Sequence, residues 1–340
     1  MLLKRRGLVG LLAMPTVARS QTSVGPIQPS APGGAAAIGP GWRPERPLRL
    51  VSPFNPGGAI DVLNRLLAER ISAELGQPVV VEARPGANTI LGAEAVAKAA
   101  PDGLTFMITT NSTHTSNPSM YRELPYDALR SFAPITLLSL GTVLLISPAA
   151  APYRGAPGFS AWARGLGRPV TYGSWGVGSG GHLYGEVLRT VHGLPLEHVP
   201  YRGEQPAILD MLAGRLDLTF CSPVGAKPQL EAAKAAWVGM TGPQRSAAMP
   251  EVPTFGEQGF AGLDMPIFVA AWAPAGTPPA AVAALRLALL HATEEPAIRA
   301  NMIGQGQTPV LSTPEALAAI VARDMPRWAE LIRISGAKVE

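Results

Sequence analysis

The chain has 340 residues, 47% hydrophobic and 15% charged, which gives room for two domains and excludes a disordered or low-complexity polypeptide. Four of its basic residues, Lys4, Arg5, Arg6 and Arg19, lie in the first twenty; without them the 28 basic residues become 24, equal to the 24 acidic ones, so no overall charge favours nucleic acid. The single cysteine, Cys221, excludes an internal disulfide and a cysteine-rich metal site.

The chain opens with a charged segment (Lys4, Arg5, Arg6), an apolar run over 8–14 and small residues at Ala18 and Ser20. That order reads as an export signal over 1–20, cut before Gln21, with a second option before Arg19. Arg5-Arg6 adds a hint of the twin-arginine route. No cysteine near the signal offers a lipid anchor, and no later stretch reaches the roughly 18 apolar residues of a membrane helix. Residues 21–43, rich in Pro, Gly, Ala and Ser, read as a flexible linker.

Residues 48–75 then form a buried strand, a sharp turn and a long helix. Leu48, Leu50 and Val51 make the strand, Asn55-Pro56-Gly57-Gly58 the turn, and Leu63, Leu66, Leu67, Ile71 and Leu75 the apolar helix face. Gly76 suits the left-handed position after the helix. Such a unit aims free N–H groups and the positive end of a helix dipole above the sheet, where an anion would be stabilised. It also serves as an ordinary strand–helix connection that binds nothing. Strands are expected at 79–81 and 105–110, with a short helix over 92–100 between them; alternating strands and helices imply a parallel sheet with ligands at the strands' carboxyl ends. The run from Thr109 to His114 at the end of the third strand lines a pocket or caps a loop, with Asn111 and Thr113 the better ligand candidates. Strands at 132–138 and 143–147 flank Gly141, where a crossover to a second lobe is placed.

The pattern repeats about 120 residues after the first unit: a strand at 169–173, a loop from Ser174 through Gly176, Gly178, Ser179 and Gly181 to His182, and a helix ended by Gly193. A helix closing over 210–214, strands at 216–220 and 237–240 and a partly helical 223–236 follow. An extended segment over 264–273 returns to the first lobe, and helices over 279–293, 295–303 and 314–335 pack over its outside, the last kinked by Pro326. Gly176, Gly178 and Gly181 also satisfy G-x-G-x-x-G, with Glu197 about twenty residues on; that leaves a dinucleotide-dependent oxidoreductase as the rival reading. No metal, nucleophile-elbow or phosphate-loop motif is present, and the five histidines and scattered carboxylates form no catalytic constellation, so neither an enzyme nor a cofactor is expected.

The residues also carry a resemblance. The runs Pro47–Val51, Pro53–Gly58 with Asp61, Gly76–Glu82, Arg84–Ala87, Ala100–Gly103, Tyr172–Ser174, Gly178-Ser179, His182-Leu183, Val199–Gly203, Pro250–Thr254 and Ala273–Pro278 resemble the Bug family, the periplasmic solute-binding proteins of tripartite tricarboxylate transporters. The likeness covers about residues 44–340. It implies an α/β, two-lobed, hinged fold like that of type II periplasmic binding proteins, each lobe a mostly parallel sheet flanked by helices. Residues 44–140 and 266–340 would form lobe one, and 141–265 lobe two. It implies a monomer, exported to the periplasm, that captures a small organic carboxylate and delivers it to membrane permease subunits. By matching position, the ligand residues are Phe54, Gly57, Gly58, Ala59 and Asp61 from the first loop, Asn111 and Thr113 from the third strand, Ser174, Gly178, Ser179 and His182 from the second loop, and Tyr201. Two departures stand out: Ile60 replaces a small hydroxyl residue, and Cys221-Ser222 follows Phe220 where an Asp is frequent. Together they imply a less polar pocket suited to carboxylates with an apolar or aromatic body, and one that disfavours an amino group.

Overall fold

The computed structural model describes residues 42–336; the expected export signal, and the linker as far as residue 41, lie outside them. In the first lobe β1 (Leu48–Ser52), α1 (Ala59–Leu75), β2 (Val79–Ala83), α2 (Ile90–Ala97) and β3 (Thr105–Thr110) form two strand–helix repeats and a third strand, and the three strands lie parallel in the order β2-β1-β3. The apolar face of α1 is buried at Leu63, Leu67, Ile71 and Leu75, and Gly76 ends it with φ 70, its N–H donating to Ser72 O. A single 3-10 turn, Asn111–Thr113, leads to the short α3 (Asn117–Met120) and then β4 (Phe132–Gly141).

The chain next builds a second sheet from β5 (Leu144–Pro148), α4 (Gly155–Gly165), β6 (Val170–Ser174), α5 (Gly180–Thr190), β7 (Leu196–Pro200), α6 (Glu204–Leu212), β8 (Leu218–Cys221), α7 (Pro223–Glu231) and β9 (Ala235–Met240), in the order β7-β6-β8-β5-β9. It returns through β10 (Ile267–Pro274), followed by α8 (Pro279–Glu294), α9 (Pro296–Gly304), β11 (Gln307–Pro309) and α10 (Pro314–Ser335), and completes the first sheet as β11-β4-β10-β3-β1-β2. Both sheets are mixed. The parallel strands expected from the alternating pattern occupy one half of each; β10 runs antiparallel to β3 and β4, and β5 antiparallel to β8 and β9.

Three features depart from the expectations. The helix α4 forms despite Gly155, Pro157 and Gly158 because Ala156, Phe159 and Ala163 are buried in the second core, so tertiary burial overrides poor propensity. The edge strand β11 is paired only with β4. And α10 does not stay on lobe one. Its Leu317, Ile320 and Val321 pack in the first lobe's core, whereas Trp328, Leu331 and Ile332 join Leu183, Tyr184 and Val187 in the second. At 22 residues the helix is about 33 Å long, enough to reach across both lobes, and it continues through Pro326.

The second lobe's core is tightest where α5 meets β6. Gly185 faces the buried Tyr172 ring, whose hydroxyl donates to His182 O (3.1 Å) and Glu186 Oε1 (3.0 Å); a Cβ at Gly185 would overlap the ring and come within 2.6 Å of that hydroxyl. Gly185→Ala is therefore expected to lower stability by about 2 kcal/mol through overpacking, read as a drop in the thermal midpoint.

Candidate functional site

Strand register decides where the loops lie. Val269, near the start of β10, pairs with Thr110 at the end of β3, and Ile267 pairs with Gly141 at the end of β4. In the other sheet Leu144, the first residue of β5, pairs with Cys221, the last of β8. Both chain crossings thus join the carboxyl edge of β2-β1-β3 to the carboxyl edge of β7-β6-β8. The loops leaving those strands therefore lie where the two sheets' carboxyl edges meet. The edges touch directly: Gly178 packs on Met120 of α3, Gly180 on Ile267, and Gly306 on the Pro223 ring.

The first loop is exposed at Gly57, Gly58 and Ala59, with Phe54 half-buried beside it. Gly57 adopts φ 81, and its N–H donates to Asp61 Oδ2 (3.0 Å); Gly58 N–H donates to Asn55 O (3.2 Å). Gly58 is the N-cap of α1, and no side chain caps that end, so the first-turn N–H groups of Ala59 and Ile60 have no acceptor within the helix. Asp61 is fully buried and bonded to Arg65 Nε (2.9 Å). Burial pushes its carboxyl up, but the bonds from Arg65 and the Gly57 N–H outweigh this and hold it below its ordinary range. Asp61 braces the glycine turn, and its charge is already met by Arg65. Ile60 packs its side chain against the first core.

At the end of β3, Asn111 is buried, with its amide 3.4 Å from Thr115 Oγ1. Thr113 is also buried, and its hydroxyl sits in a chain between Thr89 (2.7 Å) and Thr109 (2.8 Å). It pins two loops together and offers no free atom to the cleft. The partner loop, legible in the sequence as a turn but not named there as part of the site, holds Ala87, Asn88 and Thr89 at φ 45, 48 and 77, a left-handed run that costs non-glycine residues about 1 kcal/mol each or more. Asn88 and Asn117 exchange bonds of 2.7 and 2.8 Å, and Thr89 heads α2 without a side-chain cap. The only signal was the turn chemistry of Pro85-Gly86-Ala87-Asn88.

The second loop is more enclosed. Ser174 Oγ lies 2.7 Å from His198 Nε2 and accepts from Gly176 N–H (3.2 Å), while Ser179 Oγ donates to Gly176 O (2.6 Å) and accepts from His182 N–H (3.4 Å). Gly178 N–H donates to His182 Nδ1 (3.0 Å), and the His182 and His198 rings stack at 4.0 Å. These side chains build the loop from within; Gly180 and Gly181, in the first turn of α5, keep N–H groups without an intrahelical acceptor. Burial lowers both histidines, and His198, next to His182 as well, falls to about 3. Tyr201 bonds backbone N–H to Ser174 O (2.9 Å) and turns its hydroxyl to Asp210 (2.8 Å); burial and that carboxylate push the phenol up to about 12.

The dinucleotide pattern lacks its acidic partner in space. Glu197 is the second residue of β7, paired with Thr171, while the strand's carboxyl end is Pro200 followed by Tyr201. Gly181 is a packing glycine: a Cβ there would lie 2.9 Å from both Phe220 and Trp175. A groove of about 690 Å³ beside α3 and α10, lined by Tyr121, Arg122, Leu124, Pro125 and Met325, contains no residue of either glycine loop. The unpartnered N–H groups place the candidate site at the loops.

A family model described as the tripartite tricarboxylate transporter family receptor matches residues 63–337. The chain belongs to this receptor family. BugT of Bordetella pertussis is 29% identical over 309 residues, 91% of this chain and 95% of BugT. The structure of the periplasmic binding protein BugD, 31% identical, superposes with a TM-score of 0.74 over 87% of this chain and 100% of that one. The R. palustris protein Rpa4515 with adipate, also 31% identical, does so with a TM-score of 0.77 over 87% and 99%.

The Cys221-Ser222 pair has a carboxylate beside it in the structure. Cys221 points into a core with Ile208, Met211 and Leu216, where burial raises its thiol. Its neighbour Ser222 heads α7, accepting from Gly225 N–H (3.2 Å), and meets the carboxylate of Glu204 from the start of α6. That carboxylate comes from 18 residues earlier in the chain.

Proposed function

We propose that this receptor is an exported, periplasmic, monomeric binding protein that captures a small organic carboxylate between its two glycine loops, closes by hinge motion and delivers it to a membrane permease without chemical turnover. The observation that carries the reading is the pair of helix N-termini, α1 without any side-chain cap and α5 with one long bond, on carboxyl edges joined by both chain crossings. Amide N–H groups and helix dipoles favour an anion at such a spot, and no cation, metal or nucleophile is needed to hold it. Adipate in the related R. palustris protein supports a carboxylate as the guest. Mass spectrometry of small molecules released from the purified, denatured protein is expected to yield an organic acid, with calorimetry then giving a single site per chain. Recovery of a nicotinamide dinucleotide, or turnover with one, would replace this reading by the oxidoreductase.

A further inference from the structure

We propose that Ser52 and Asn64 form an internal binding site for a single water molecule, which joins the end of β1 to α1 beneath the first glycine loop. The inference is independent of which ligand the loops hold. Both residues are fully buried. Among the described residues, Ser52 Oγ and both amide atoms of Asn64 have no hydrogen-bond partner in the protein. Folded proteins seldom leave such buried groups unmet. Three observations bring the two side chains together. Side chains alternate along β1: Leu48 and Leu50 join the core with Leu63, Leu67 and Ile71 of α1, whereas Val51 joins the core on the opposite face. Ser52 is therefore on the α1 side. Around α1, Arg70 and Glu74 reach Glu295 and His291 on the α8 side, and Ser72 Oγ accepts from Val79 N–H on the β2 side. At about 100° per residue, Asn64 falls midway between those two sides and so points at β1. The heights also agree. Val79 pairs with Leu48, which sets Ser72 level with Leu48. The eight helical residues from Ser72 back to Asn64 rise about 12 Å, and the four strand residues from Leu48 to Ser52 rise about 13 Å towards the same edge.

The surroundings select the guest. The core around the pair is apolar, Leu50, Leu63 and Leu67 included, and the nearest acid on the helix, Asp61, is already bonded to Arg65 and the Gly57 N–H. An ion would find no opposite charge there and would lose its hydration. A hydroxyl, an amide oxygen and an amide N–H offer bonds of both polarities, about the three that an internal water makes. The two short side chains do not bond to each other, and a water between them satisfies both. Asn64 lies one turn below Asp61, which braces Gly57, so the bridge steadies the glycine loop from underneath.

A crystal structure of the wild-type protein is expected to contain one ordered water within about 3 Å of both Ser52 Oγ and an amide atom of Asn64. No water at that place, or the two side chains bonded to each other or to other protein atoms, overturns the inference without recourse to any variant. In solution, oxygen-17 relaxation dispersion counts long-lived internal waters. Asn64→Leu, which fills the space with carbon from the helix side, is expected to lower that count by one, with thermal melts to establish folding. Ser52→Val closes the site from the strand side and is expected to do the same, so the comparison survives the failure of one variant to fold. A count equal to that of wild type in a folded variant overturns the inference.

Discussion

Gly306→Ala is expected to weaken ligand binding about 100-fold, roughly 2.7 kcal/mol, while leaving both lobes folded. Gly306 adopts φ 74, where an added Cβ costs about 1 kcal/mol in backbone strain. That Cβ would also overlap the Pro223 ring of the other lobe, with Cδ at 2.6 Å and Cβ at 2.9 Å. A flexible side chain could rotate away, but a proline ring has no such freedom, and Pro223 is fixed as the first residue of α7 behind the Ser222 cap. Thr142, in the crossing between β4 and β5, bonds its N–H to Gly306 O at 3.4 Å, so the strain bears on the crossing itself. The available relief is separation of the lobes, and a ligand met by both loops then loses one set of N–H donors. Calorimetry should record the weaker binding, and X-ray scattering a larger radius of gyration in the presence of ligand. Adding Pro223→Ala should restore most of the affinity. Wild-type affinity in Gly306→Ala would mean that this contact takes no part in closure.

The strand–loop–helix units were legible because each is local. In α1 the buried positions, the glycine turn and the Gly76 cap all lie within one stretch, and propensity, pattern and capping agree there. The antiparallel entry of β10 was not legible, because its partners β3 and β4 lie more than 120 residues earlier and only tertiary packing chooses its direction. The bridging of α10 was hidden for the same reason: one continuous apolar face serves two cores, and no break in the pattern marks where one ends. At the site, the glycines were readable as backbone positions. The fates of polar side chains were not, since they depend on which neighbour arrives. Thr113 looked available until Thr89 and Thr109 took its hydroxyl, and Asp61 until Gly57 and Arg65 took its carboxylate. Glu204 shows the converse, a charge brought beside Ser222 by a loop that the linear pattern did not connect with it.

Lowering the pH from 6.5 to 4 is expected to remove about 5 kcal/mol of stability, shared between the lobes by His114 and His198. In lobe one, His114 stacks on Trp272 (3.8 Å) and meets the edge of Phe132 (5.0 Å), with Nδ1 2.8 Å from Ala128 O. Burial pulls its pKa from 6.5 to about 4, against the opposing pull of the Ala128 carbonyl. In lobe two, burial and then the neighbouring His182 take His198 to about 3. Above pH 6.5 both histidines are neutral whether the chain is folded or not, and neither affects stability. Below it the unfolded chain binds protons that the folded chain refuses, so stability falls until the folded values are reached. The fall to about 4 makes this about 3 kcal/mol for His114; for the partly exposed His198, allowing for solvent screening, it is about 2. The carboxylates of the buried Asp61 and the half-buried Asp217 lie below their ordinary range, so their own losses come under about pH 4 and separate from this window. His114→Phe keeps the stack on Trp272 and loses the bond to Ala128, at a cost of about 1 kcal/mol at neutral pH. Thermal melts from pH 7 to 4 should therefore start lower for the variant and fall less steeply; parallel curves for the two proteins would rule His114 out as a source. Burial holds His182 below the ordinary histidine range, so ligand affinity should decline only as the pH falls beneath that range, because a proton on His182 Nδ1 removes the acceptor of the Gly178 N–H and frees the second glycine loop from its brace.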